Sequence, residues 1–146
     1  EISKLRHPKI EQIAQILKSR TRFHNNKAKY VIEAHSKWLE IAPKLSNPNI
    51  PELRNWLAEN VKGYGLKEAS HFLRNIGKSN NQIAILDRHI LRNLKALKVI
   101  EDEQIKNKAH YMKLEQKFLR FSREINIPID ELDLLFWSNE NGEIFK

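Results

Sequence analysis

Two glycines separated by a single residue, Gly63 and Gly65, stand between two segments of helical pattern, and nothing else in the chain constrains its fold as much. A tight Gly-x-Gly turn between helices exposes backbone N–H groups that can hold a phosphate, helped by the dipole of the helix that follows. Glycines let the backbone approach a phosphate and take positive φ angles closed to most residues. Lys67 comes two residues after the second glycine, in the first turn of the following helix. The macrodipole is positive there, so the position suits a lysine poorly. An unfavourable charge beside an anion site makes residues 61–91 the organising stretch.

The rest of the chain reads as further helices. Residues 5–20 are amphipathic, with Pro8 suited to N1 and Ile10, Ile13, Ala14 and Leu17 at helical spacing. A polar break at 21–26 holds asparagines suited to a cap. A second helix is expected over 27–42, with Trp38 and Leu39 near its apolar face and Pro43 as its stop. Pro51 opens a third helix through Leu53, Trp56 and Leu57. The turn at 62–65 and a fourth helix at 66–76 follow, stopped by Gly77. Residues 83–86 are apolar but too few for a helix and predict buried extended chain. Asp87 predicts the N-cap of a fifth helix carrying Ile90, Leu91, Leu94 and Leu97. A longer helix is expected over 101–125. A last one follows Pro128, capped by Asp130 and carrying Leu132, Leu135, Phe136 and Trp137. No segment sustains period-two alternation, so the chain is expected to be all-α.

Charge narrows the partner. There are 26 Lys and Arg against 18 Asp and Glu, a net charge of +8, which favours a polyanion such as nucleic acid. The chain has no cysteine, which excludes disulfides, thiolate metal sites, iron–sulfur clusters and a cysteine nucleophile. A reducing, cytoplasmic setting is the expectation. No apolar run approaches a membrane span, so no membrane partner is expected.

The hairpin would bring the Lys67 amine beside a DNA backbone, near a helix N-terminus and half-buried. Desolvation and positive neighbours lower a lysine pKa and yield the neutral amine needed to attack carbon. A solvated surface lysine is the plainer reading of any lysine. For Asp87 capping alone suffices as an explanation. An aspartate can nonetheless cap a helix and stabilise cationic sugar character as a glycosidic bond breaks, or orient or deprotonate a nucleophile.

Gly63-Tyr64-Gly65-Leu66-Lys67 followed by Asp87-Arg88-His89 resembles the helix–hairpin–helix DNA glycosylase superfamily. The fuller strings KEASHFLRNIG (67–77) and AILDRHIL (84–91) are similar to its archaeal-type 8-oxoguanine DNA glycosylase branch, bifunctional N-glycosylases and AP lyases. The resemblance implies that Lys67 attacks the sugar C1′, expels the base and forms a Schiff base leading to β-elimination, with Asp87 assisting. The endonuclease III branch shares both residues but usually carries a four-cysteine cluster, and the absence of cysteine argues against it. Lys62, Gly63, Gly65 and His89 are the implied DNA contacts. Arg22-Phe23, Asn25, Lys27-Ala28 and Tyr30 resemble the helix start that borders the family's base pocket, which makes Phe23 a candidate for base recognition. Leu134-Leu135-Phe136-Trp137 and Ile144-Phe145-Lys146 resemble the family's ending. They imply that Trp137 stacks on the flipped base and that the carboxylate of Lys146 joins the pocket. Without the resemblance, core packing is the ordinary reading of Trp137 and a frayed end that of Lys146.

The match covers essentially all 146 residues but only the C-terminal larger part of a family member, so 1–146 is expected to be one helical region lacking the family's N-terminal helices. No redox cofactor and no catalytic metal are implied; the resemblance allows a bound monovalent cation where the amides around Gly63 and Gly65 anchor a phosphate. The expected partner is duplex DNA containing 8-oxoguanine, bound by a monomer in the nucleoid. Three readings compete: a non-enzymatic hairpin module that holds DNA, a lyase-type glycosylase for another oxidised base, and a helical scaffold whose charge serves solubility.

Overall fold

The computed structural model describes residues 9–141, and every regular element among them is helical. The order is α1 (Ile10–Lys18), α2 (His24–Ser36), α3 (Trp38–Lys44), α4 (Ile50–Asn60), α5 (Leu66–Asn75), α6 (Arg88–Ala96), α7 (Lys108–Glu124) and α8 (Ile129–Asn141). Local chemistry sets several of these boundaries. Asn49 caps α4 by accepting from the Glu52 N–H at 3.1 Å, with Pro51 in the first turn, where its missing N–H costs nothing. The α5 helix stops at Gly77, whose φ of +71° lets the Lys78 N–H turn back to the Leu73 carbonyl at 2.8 Å.

Several expected boundaries are corrected. The helix expected over 27–42 is two: α2 starts earlier, at His24, and gives way to α3 at Lys37. Pro43 lies inside α3 rather than stopping it. Its position in this short helix's last turns leaves few backbone bonds to lose. The break also rotates Trp38 and Leu39 outward, to 50% and 90% exposure. Neither asparagine at 25–26 caps α2; Phe23 holds the cap position in the left-handed region, at φ +57°. The helix expected from 101 begins only at Lys108. Asn107 caps it through the His110 N–H at 2.9 Å, and the Asp102 carboxylate takes the Gln104 N–H, holding a turn instead. Asp130 is not a cap. It sits in the first turn of α8, where its Oδ1 accepts from the Ser79 hydroxyl at 2.6 Å and its Oδ2 from the Asn81 N–H. Pro8 and Lys146 lie outside the described residues.

Two apolar clusters hold α3 to α8, while α1 packs on α2. One joins α3, α4 and α5 through residues such as Leu53, Leu57, Ala69 and Leu73. The other joins α6, α7 and α8 through Leu94, Phe118, Ile129 and Leu132. Each fully buried leucine here contributes roughly 1.5–3 kcal/mol of transfer free energy. Residues 83–87 run without regular structure between the clusters, with Ile83 in the first and Ala84 and Leu86 in the second. The expected extended run is therefore the seam of the molecule. It delivers the chain to Asp87.

Candidate active site

The turn between α4 and α5 is strained at one glycine only. Gly63 has φ +87°, and a Cβ built there would come within 2.4 Å of the Tyr30 ring. Both facts demand glycine. Gly65 lies at φ −103°, ψ −174°, an extended conformation open to any residue, so the expectation of two positive φ angles is half right. Its N–H donates to Glu68 Oε2 at 3.2 Å, the closing bond of the turn. Lys62, exposed, reaches Glu33 Oε2 of α2 at 3.8 Å.

Lys67 occupies the first turn of α5, as expected, with about half of its side chain open to solvent. Its side chain is 46% exposed and its ammonium lies 3.0 Å from Glu68 Oε1. The adjacent carboxylate offsets the unfavourable interaction with the helix N-terminus. Burial pushes the Glu68 carboxyl up, but the hydrogen bond and charge of Lys67 together with backbone amides outweigh it and hold the group below its ordinary range.

Asp87 closes the other side. Its Oδ1 accepts from the N–H groups of His89 and Ile90 at 2.8 and 2.9 Å, the N-cap the sequence predicts for α6. His89 lies half-buried in the first turn of that helix, and its backbone N–H is committed to this cap.

These elements surround one cleft of about 590 Å³ lined by Lys67, His71, Arg74, Asn75, Ile85, Asp87, Asp133, Leu134 and Trp137. Lys67 enters from α5, Asp87 from the end of the seam, and Trp137 from α8. Three residues separated by 20 and 50 positions in the chain thus share a wall. Phe23 does not line the cleft; it is 71% exposed, under the Arg22 guanidinium at 5.6 Å.

The sequence reading passed over His71, Arg74, Asn75 and Asp133. The signal was present: counting four, seven and eight from Lys67 along a helix lands on the first three. Arg74 pairs with Asp133 across the cleft, joining α5 to α8. Burial, then the cations of Arg74 and Lys67, hold the His71 imidazole below its ordinary value despite Asp87 and Glu68. It is therefore neutral at pH 7 and leaves the positive charge of the cleft to Lys67 and Arg74.

A family model described as 8-oxoguanine DNA glycosylase, Ogg-HhH, matches residues 1–127. The chain belongs to this family. Within the matched residues, α4, the glycine turn and α5 follow one another as helix, turn and helix. The 8-oxoguanine DNA glycosylase/AP lyase of Fusobacterium nucleatum is 42% identical over 145 residues, covering 94% of this chain and 66% of that protein. The enzyme of the same name from Metallosphaera sedula is 39% identical over 140 residues, covering 94% and 67%. Among solved structures, the Methanocaldococcus jannaschii 8-oxoguanine glycosylase/lyase in complex with DNA containing 8-oxoguanine superposes with a TM-score of 0.83 at 32% identity. That match covers 95% of this chain and 67% of the other. The chain spans about two thirds of the length of the curated relatives it matches. The helix–hairpin–helix glycosylase fold and the family's expected all-α architecture are both present.

Proposed function

We propose that the chain is a base-excision-repair N-glycosylase with AP lyase activity that removes 8-oxoguanine from duplex DNA. One observation carries the reading: Lys67, Asp87 and Trp137, which bear an amine, a carboxylate and an indole, line a single cleft of about 590 Å³. The damaged nucleotide turns out of the stack and its base lies against Trp137. The Lys67 amine, once the ammonium beside Glu68 has given up a proton, bonds to C1′ as the glycosidic bond breaks and its electron pair leaves with the base. Loss of a proton and opening of the sugar give the Schiff base. Removal of a C2′ proton then expels the 3′-phosphate. Asp87 stabilises the cationic sugar in the first step and helps take the lysine proton.

The hairpin supplies the grip. Amides around Gly63 and Gly65, with Lys62 and His89 at its flanks, hold backbone phosphates without reading sequence, the Gly65 N–H exchanging its bond to Glu68 for the phosphate. The net charge of +8 supports that role. Lys146 joins Trp137 in base recognition. A monomer acting at the cytoplasmic nucleoid is the simplest arrangement.

A panel of duplexes tests the reading, carrying 8-oxoguanine, undamaged guanine or an oxidised pyrimidine at one position. Base release confined to the 8-oxoguanine duplex is expected. Salt-sensitive binding to all three without release would leave a DNA-holding module, and preferential release of the pyrimidine would reassign the lesion.

A further inference from the structure

We propose that the buried pair of Arg54 and Glu115 is a positioning device that fixes the separation of Lys67 from Asp87; this inference rests on the proposed glycosylase reading. Arg54 of α4 has no exposed surface and Glu115 of α7 is 1% exposed. Their bond is bidentate: Nη1 donates to Oε1 and Nη2 to Oε2, both at 2.9 Å. The same charges are then used in two directions. On one side, Arg54 Nη1 donates to the Ser70 hydroxyl at 3.3 Å, three residues past Lys67 on α5. On the other, Glu115 Oε1 accepts from the Ala84 N–H at 2.8 Å, three residues before Asp87. The Tyr111 hydroxyl completes the frame. It donates to the Ala84 carbonyl at 2.8 Å and receives the Leu86 N–H at 3.4 Å. Burial pushes this hydroxyl up to about 12, so it remains a donor throughout the working pH range.

The physical case is one of direction. Residues 83–87 have no ladder or helix of their own to satisfy their amides, and Ala84 is 2% exposed. Glu115 and Tyr111 supply both partners of Ala84, in a fixed geometry that packing alone does not impose. A buried ion pair is weak evidence of stability, because well-packed apolar residues of similar volume commonly hold a fold as well. What apolar residues cannot do is tie the helix carrying Lys67 and the segment carrying Asp87 to one pair of charges. A displacement of about 1 Å between reacting groups is enough to slow a reaction on the order of 100-fold.

The test compares wild type with the double variant Arg54→Met with Glu115→Leu, and with Tyr111→Phe, which keeps the ring in the core. Thermal midpoint, affinity for an 8-oxoguanine duplex, and the single-turnover rate of borohydride-trapped adduct are measured for each. The double variant is expected to fold and to bind DNA within about 2-fold of wild type, yet to form adduct at least 10-fold more slowly. Tyr111→Phe should slow the adduct by several-fold with binding unchanged. A folded double variant reacting at the wild-type rate would overturn the inference. Should the double variant not fold, Tyr111→Phe decides: slowed adduct supports the frame, and a wild-type rate removes it. Wild-type protein that forms no adduct would sink the glycosylase reading itself and take the inference with it.

Discussion

At Asp87 one carboxylate oxygen receives two backbone amides while the same side chain lines the cleft with Lys67 and Trp137. The two roles separate cleanly by substitution. Asparagine caps a helix about as well as aspartate, so Asp87→Asn should change stability by less than about 0.5 kcal/mol. It removes the negative charge, so base release should fall on the order of 100-fold or more while DNA binding persists. Single-turnover base release alongside a thermal melt checks both, and an unimpaired rate would reduce Asp87 to a cap. Lys67 is legible in the sequence as misplaced for a helix start, but its surroundings are not. The Glu68 carboxylate beside it and the half-exposure of its side chain depend on where α5 meets solvent, which helical periodicity does not state. His71 and Arg74 went unread for a related reason. A histidine and an arginine on an exposed-looking face gain meaning only when the seam and α8 close over them.

The hairpin is where an element, rather than a residue, limits the chemistry. Gly63 is held by both its positive φ and the Tyr30 ring, so Gly63→Ala should cost roughly 2–4 kcal/mol from backbone strain and overpacking together. Gly65→Ala should cost less than about 1 kcal/mol, since its φ is ordinary and the nearest atom to a new Cβ is the flexible end of Glu68, at 3.0 Å. Urea unfolding of the two variants separates them; equal losses would mean that the turn is read wrongly. The elements themselves were legible at Asp87, Gly77 and the turn before α5, though not at Pro43, Asp130 or the asparagines at 25–26, which neither stop nor cap the helices beside them. Nor were they legible where an apolar period runs on through a break. Trp38 and Leu39 continue the spacing of α2, yet the chain turns at Lys37 and exposes both. Ile105 likewise extends the stripe of α7 backwards, while Asp102 and Asn107 bind local amides and keep 101–107 out of the helix.

At the scale of the molecule, two apolar clusters meet along residues 83–87, and the cleft opens where that seam ends. The all-α class followed from the missing period-two alternation, and the partner class from a net charge of +8. The seam's polar frame did not. Arg54 and Glu115 lie 61 positions apart, and nothing local to either marks it as buried. The central claim is that Lys67 is the nucleophile, and it is tested most directly by borohydride reduction in the presence of an 8-oxoguanine duplex. The account predicts a covalent protein–DNA adduct with wild-type protein and none with Lys67→Gln. An adduct of undiminished yield from Lys67→Gln would contradict it.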